Sequence, residues 1–149
     1  MRRLALALTL ILAACKPTAP PAGSIEVRDA WARETAPGQA SGAVYLTIVN
    51  SGSTGDKLLS VTTPKAQMAM LHGSNSTGGV MAMRMMRDLA IPGAQVVTLA
   101  PLGTHIMLTG LAAPLRPGDH LPLTLRFAHA GARQVDAVVL PAGSSGPTR

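Results

Sequence analysis

From residue 25 onward the chain consists of short apolar runs, each ended by Gly, Pro, Asn, Ser or Asp after about ten residues or fewer. Residues 120–129 alternate strictly, so that Leu121, Leu123 and Leu125 would share one face of a strand. No segment carries a sustained helical apolar stripe with caps, although 81–89 is ambiguous. Short strands at this spacing predict an all-β domain, either an antiparallel sandwich or a barrel.

The runs predict strands at regular intervals through the domain. A turn over 73–79 (GSNSTGG) is expected between the third and the fourth of them. A chain of 149 residues, 47% of them hydrophobic and only 13% charged, can bury one core and is not disordered. The predicted strands cover 44–49, 57–63, 67–72, 80–86, 95–99, 105–111, 120–129 and 134–140.

Residues 1–14 resemble a bacterial lipoprotein signal peptide. Two arginines precede the stretch Leu4–Ala14, which is apolar except for one threonine and too short for a bilayer core that needs ~20 residues. The stretch ends Leu-Ala-Ala immediately before Cys15, as in a lipobox, which predicts lipidation of that cysteine. The alternative is an ordinary signal peptide that happens to contain a cysteine.

The remaining chain divides by composition. Residues 15–24 follow as a Pro/Ala-rich tether, 25–140 form the β-domain, and 141–149 are expected to be a flexible tail. We expect the protein in the periplasm, held to the cell envelope membrane by its N-terminal lipid. Removal of the signal also removes two arginines, so part of the +6 net charge belongs to targeting. One Trp, one Tyr and one Phe are too few to stack nucleic-acid bases, and one Cys cannot form an internal disulfide.

Methionine and histidine are concentrated in one window. Every methionine except the first lies within 68–107, and His72 and His105 lie there too. Because alternate residues of a strand share a face, His105 and Met107 would point one way and Ile106 the other, toward the core. His105 and Met107 are therefore expected to face outward or into a cluster of loops.

This composition favours copper. A thioether is a soft, neutral donor that suits Cu(I), and imidazole also binds copper. A single methionine is more often a core filler, so the inference rests on the whole cluster. No cysteine lies near it, which argues against blue-copper and thiolate zinc sites.

The absence of a Gly-x-Ser-x-Gly elbow, a P-loop and a His-Glu-x-x-His motif argues against an enzyme. An envelope interaction domain whose His/Met cluster is structural is the alternative.

The spacing of these residues resembles a known signature. Ten residues separate His72 from Met83, twenty-one separate Met83 from His105, and Met107 follows one residue later. The sequence is similar to that of the PCu(A)C-type periplasmic copper(I) chaperones, whose motif has these residues at these intervals. The similarity covers about 25–140 and includes the flanking segments Asp29–Arg33, Gly42–Tyr45 and Gly79–Arg84.

The resemblance implies a fold, a ligand set and a function. The fold would be a cupredoxin-like (immunoglobulin-like) antiparallel β-sandwich. One Cu(I) would be bound by His72, Met83, His105 and Met107, without enzymatic activity. The copper would go to the CuA centre of cytochrome c oxidase, through the copper-site subunit or its assembly thiol proteins. Sequestration of copper without delivery is the alternative. The tail 141–149 has no His or Met, so no second copper site is expected there.

Overall fold

The computed structural model describes residues 25–77 and 80–147. These residues form ten strands with no helix among them, which confirms the all-β prediction, and none of them forms a helix able to cross a membrane. The signal peptide, Cys15 and the tether lie outside the described residues. The strands are β1 Ile25–Arg33, β2 Ser41–Asn50, β3 Asp56–Thr62, β4 Ala66–Thr77, β5 Val80–Met86, β6 Leu89–Ile91, β7 Gln95–Leu99, β8 His105–Leu111, β9 His120–Phe127 and β10 Ala132–Leu140.

The strands are hydrogen-bonded in the order β5-β4-β8-β2-β1-β10-β9-β3-β6. β7 also pairs with β2, beyond the part of β2 that pairs with β8. The described pairs are antiparallel except β1 with β10, which is parallel. The antiparallel prediction therefore holds for all described pairs but this one.

The two halves of this strand path enclose one hydrophobic core. Val44 and Ile106 come from the β2/β8 half, Leu58 and Leu121 from the β3/β9 half, and all four are completely buried in one cluster. Burial of apolar surface from both halves makes the sheet a closed sandwich and supplies the main driving force for folding. The alternating leucines of β9 all belong to this core, as the sequence predicts.

β1 joins the two halves because it pairs with β2 along one edge and with β10 along the other. Its register with β2 shifts between Arg28 and Trp31, and Asp29 has a positive φ of 51° at this bulge. A bulge of this kind bends a strand and increases its twist. β1 and the three-residue β6 were not predicted from the sequence.

The β4–β5 hairpin is longer than predicted. Pairing continues to Thr77 and Val80, so the expectation of a turn over the whole of 73–79 is wrong. Ser, Asn and Thr are common in turns, but their backbones can also pair with a neighbouring strand, as they do here.

The segment after β10 lies against the end of β1 as far as residue 147. The backbone N–H of Ala142 donates to Glu34 Oε1 at 2.9 Å, and Arg33 Nη2 donates to the carbonyl of Ser144 at 3.1 Å. These contacts lie in the part of the chain for which a flexible tail is expected.

Candidate metal centre

The outer face of three adjacent strands, β5, β4 and β8, carries His72, Met83, Met85, His105 and Met107. His72 on β4 is directly opposite His105 on β8 and directly opposite Met85 on β5. Residues that oppose each other directly in antiparallel strands project from the same face. Ile106 is fully buried on the core side of β8, as predicted. The alternation thus separates a core face from a face that carries the possible metal donors.

The two imidazoles are close together and largely covered. Their ring centroids are 5.8 Å apart. His105 lies on the outer face but is only 6% exposed. The Tyr45 ring lies 6.3 Å from His105, and the Trp31 ring lies 4.5 Å from Tyr45. The Arg33 guanidinium lies over both aromatic rings, so these three side chains bound one side of the cluster.

A tight turn before β8 orients His105. Its Nδ1 lies 3.0 Å from the carbonyl of Gly103. Because a carbonyl can only accept, Nδ1 carries the proton, and Nε2 of the neutral ring keeps its lone pair. The Gly103 N–H in turn donates to Ala100 at 3.0 Å, and Ala100 donates to Thr104 at 2.9 Å. A hydrogen bond of this kind on the second ring nitrogen is usual for a metal-binding histidine.

His72 has a buried ring nitrogen with no partner. Its Nδ1 is inaccessible and makes no hydrogen bond to any described residue. Buried polar atoms are normally satisfied, and an exception calls for an explanation such as an ion. The imidazole of His72 is therefore a candidate donor.

The methionines surround this pair at different distances along the strands. Met107 is half-buried and lies directly opposite Met70. Met83 is 67% exposed and lies opposite Ser74, two positions along β5 from Met85. The structure therefore places three of the sequence-predicted ligands, His72, His105 and Met107, on neighbouring positions of β4 and β8. Met83 is diagonal to His72, a separation of about 7–8 Å between strands that a long side chain can bridge.

The other two histidines lie elsewhere. His120 Nδ1 contacts Asp136 Oδ2 at 2.6 Å on the exposed surface of β9 and β10. The backbone of His129 donates to Asp56. Within 25–77 and 80–147, no three His, Cys, Asp or Glu side chains are grouped so that they could hold a metal. On the same face, Met85 lies opposite His72, and Met107 lies two positions from His105 along β8.

The sequence reasoning missed Tyr45, Gly103 and the position of Met85 opposite His72. Tyr45 could have been found by its alternation with Val44, but its strand partner could not be read from the sequence.

Imidazole and thioether together form a soft donor set without negative charge, which suits a soft monovalent ion better than Mg²⁺ or Ca²⁺.

Comparison with known proteins identifies the family. The family model described as "Putative lipoprotein LpqE-like" matches residues 25–139, which is most of the chain. The chain belongs to the LpqE-like family. A curated relative of the same kind, "Putative lipoprotein Lxx21020" from Leifsonia xyli subsp. xyli, is 34% identical over 107 residues. The match spans 71% of this chain and 63% of the length of that relative.

Solved structures relate this LpqE-like chain to the PCuAC domains. The apo PCuAC domain from PmoF1 is 32% identical, with a TM-score of 0.67 over 80% of this chain and 96% of that one. The solution structure of CuI-DR1885 from Deinococcus radiodurans is 31% identical, with a TM-score of 0.64 over 83% of this chain and 80% of that one. The predicted relationship to the PCu(A)C-type family and its fold is confirmed.

Proposed function

We propose that this LpqE-like protein is a non-enzymatic copper carrier of the cell envelope. It binds one Cu(I) through His72, Met83, His105 and Met107 and delivers the ion to the CuA centre of cytochrome c oxidase. The observation that carries the proposal is the His72–His105 pair, 5.8 Å apart at the ring centroids, with an unpartnered nitrogen on one ring. Methionine side chains lie at neighbouring positions of the same face, with Met85 opposite His72 and Met107 two positions from His105 along β8.

Chemistry and similarity both support copper as the cargo. The solved relative from Deinococcus radiodurans carries CuI in its name and is 31% identical to this chain. Neutral sulfur and nitrogen donors stabilise Cu(I) without a thiolate. A thiolate-bearing acceptor, such as the oxidase copper-site subunit or one of its assembly thiol proteins, would bind the same ion more strongly. Transfer from this site to such an acceptor is thus thermodynamically favourable.

Anchoring follows from the N-terminal sequence. We propose that 1–14 is cleaved, that Cys15 is lipidated and that 16–24 separates the domain from the membrane in the periplasm. The family and the Leifsonia relative both carry the word lipoprotein in their descriptions, which supports this part of the proposal. Stable anchoring needs more than one acyl chain, since each buried methylene adds only ~0.8 kcal/mol.

Copper binding is tested by anaerobic titration against a colorimetric Cu(I) competitor. The wild-type protein should bind one Cu(I), and the double variant M83L/M107L should bind it far more weakly while remaining folded. M68L is the matched control, because Met68 is also exposed and on the same face but lies opposite Thr109, away from His72. Unchanged affinity in M83L/M107L would refute the ligand set.

Delivery is tested separately from binding. Cu(I)-loaded protein mixed with a purified apo CuA domain should transfer its copper, and deletion of the gene should impair oxidase assembly. Copper sensitivity of the deletion strain with intact oxidase would instead establish sequestration. If the protein purified from copper-supplemented cells contains no copper, the alternative of an interaction domain is favoured.

A further inference from the structure

Met85, rather than Met83, is the methionine directly across from His72. The antiparallel register runs without a shift from Leu71 opposite Met86 to Thr77 opposite Val80, which fixes Met85 beside His72. His105 lies on the other side of His72. Three adjacent strands thus bring a thioether and two imidazoles into one line across the sheet.

Met83 and Met85, which lie on this face of β5, are not used for packing. Met83 is 67% exposed and Met85 is 65% exposed. Met86, the next residue, is partly buried against the core and close to Gly73, where an added Cβ would lie 2.9 Å from its sulfur. The usual explanation for a methionine, that it fills a gap in the core, applies to Met86 and fails for Met83 and Met85.

Both exposed sulfurs can reach the same imidazole. Directly opposed side chains have Cβ atoms about 4.5–5.5 Å apart, and diagonal ones about 7–8 Å. Methionine has three rotatable side-chain bonds, so Met83 from the diagonal position and Met85 from the opposed position can each bring sulfur to a metal at His72. The side chains of Met83 and Met85 are almost equally exposed, so packing holds neither of them away from His72.

We propose that Met85 is a further Cu(I) donor that exchanges with Met83 at the His72 side of the site. This inference rests on the proposed function. In the exchange one Cu–S bond forms as another breaks, the copper stays Cu(I), and no proton moves because both thioethers are neutral. The exchange keeps the ion coordinated while one methionine is displaced, which gives an acceptor access to the copper.

A double-mutant cycle tests the exchange. M83L, M85L, M83L/M85L and the control M68L are loaded with Cu(I) anaerobically, and sulfur neighbours are counted by X-ray absorption alongside competitor titration. Because Met85 replaces Met83, M83L should keep the wild-type number of sulfur neighbours, and M83L/M85L should have one fewer. The affinity loss in M83L/M85L should exceed the product of the two single losses by about tenfold, which is within the range of coupling between residues that share one site. M68L should match the wild type.

The outcomes separate this inference from the function on which it rests. One outcome overturns the exchange and leaves the carrier function standing. In it the wild-type protein binds Cu(I), M83L has one sulfur neighbour fewer than the wild type, and adding M85L changes nothing further. Wild-type protein that binds no Cu(I) overturns both. Since both methionines are exposed, the variants should unfold at the wild-type temperature, and circular dichroism checks that each is folded.

Discussion

Asp56 at the start of β3 makes the sharpest test of the fold that supports the site. Its carboxylate accepts backbone N–H groups from Lys57 at 2.7 Å, His129 at 2.9 Å and Ala130 at 2.8 Å, and the residue is 8% exposed. Burial alone would raise the pKa of Asp56, but the N–H donors of His129, Lys57 and Ala130 outweigh it and hold the pKa below 3.8. The carboxylate therefore ties the turn after β9 to β3.

Asp56→Ala should lower the free energy of unfolding by about 3 kcal/mol. A hydrogen bond to a charged group contributes about 1.5–3 kcal/mol, and two of the three donors are distant in sequence. The Lys57 bond joins neighbours and is expected to add little, because such a local contact can also form in the unfolded chain. Asp136→Ala is the control, since its exposed contact with His120 should contribute less than about 1 kcal/mol.

Urea unfolding of the wild type, Asp56→Ala and Asp56→Asn across pH is the assay. Because the folded-state pKa is lowered, the stabilisation by Asp56 is fully present above the ordinary value near 3.8 and is lost as pH falls through the folded value. The difference between the wild type and Asp56→Asn should therefore be constant at neutral pH and shrink in acid. A loss in Asp56→Ala no greater than that in Asp136→Ala would refute this reasoning.

Two further substitutions test close packing elsewhere in the sandwich. Gly93→Ala should lower the free energy of unfolding by about 1–3 kcal/mol, because its Cβ would lie 2.2 Å from the carbonyl oxygen of Ser53. Gly143→Ala is the control, since a Cβ there would meet nothing within 4 Å. Equal melting temperatures of the two variants would contradict this prediction. Ile106→Val should cost about 0.5–1.5 kcal/mol in unfolding free energy, since the side chain is completely buried. It should leave Cu(I) affinity unchanged because Ile106 lies on the core face of β8, and a weakened affinity would show that the two faces are not independent.

Much of the sandwich follows from alternation in the sequence. The spacing of Leu121, Leu123, Leu125 and Phe127 predicts one buried face of β9, and all four are buried. β1 was harder to predict because Glu26, Arg28 and Asp29 interrupt its apolar residues and a bulge shifts its register.

The site could be predicted only in part, because alternation gives the face of a residue but not its neighbour across the sheet. His105 and Met107 were correctly separated from the core face. The Tyr45 ring beside His105 comes from another strand, and no local pattern reveals that it lies there. The pairing of His72 with Met85 depends on the length of the β4–β5 hairpin, whose Ser and Asn residues are typical of a turn.

The measurement that most directly tests the central claim is X-ray absorption on the wild-type protein loaded anaerobically with Cu(I), combined with metal analysis. One copper per chain, with nitrogen and sulfur both in its coordination shell, is the expected result. Copper bound only by nitrogen or oxygen, or no bound copper, would contradict the site formed by two imidazoles and methionine sulfur.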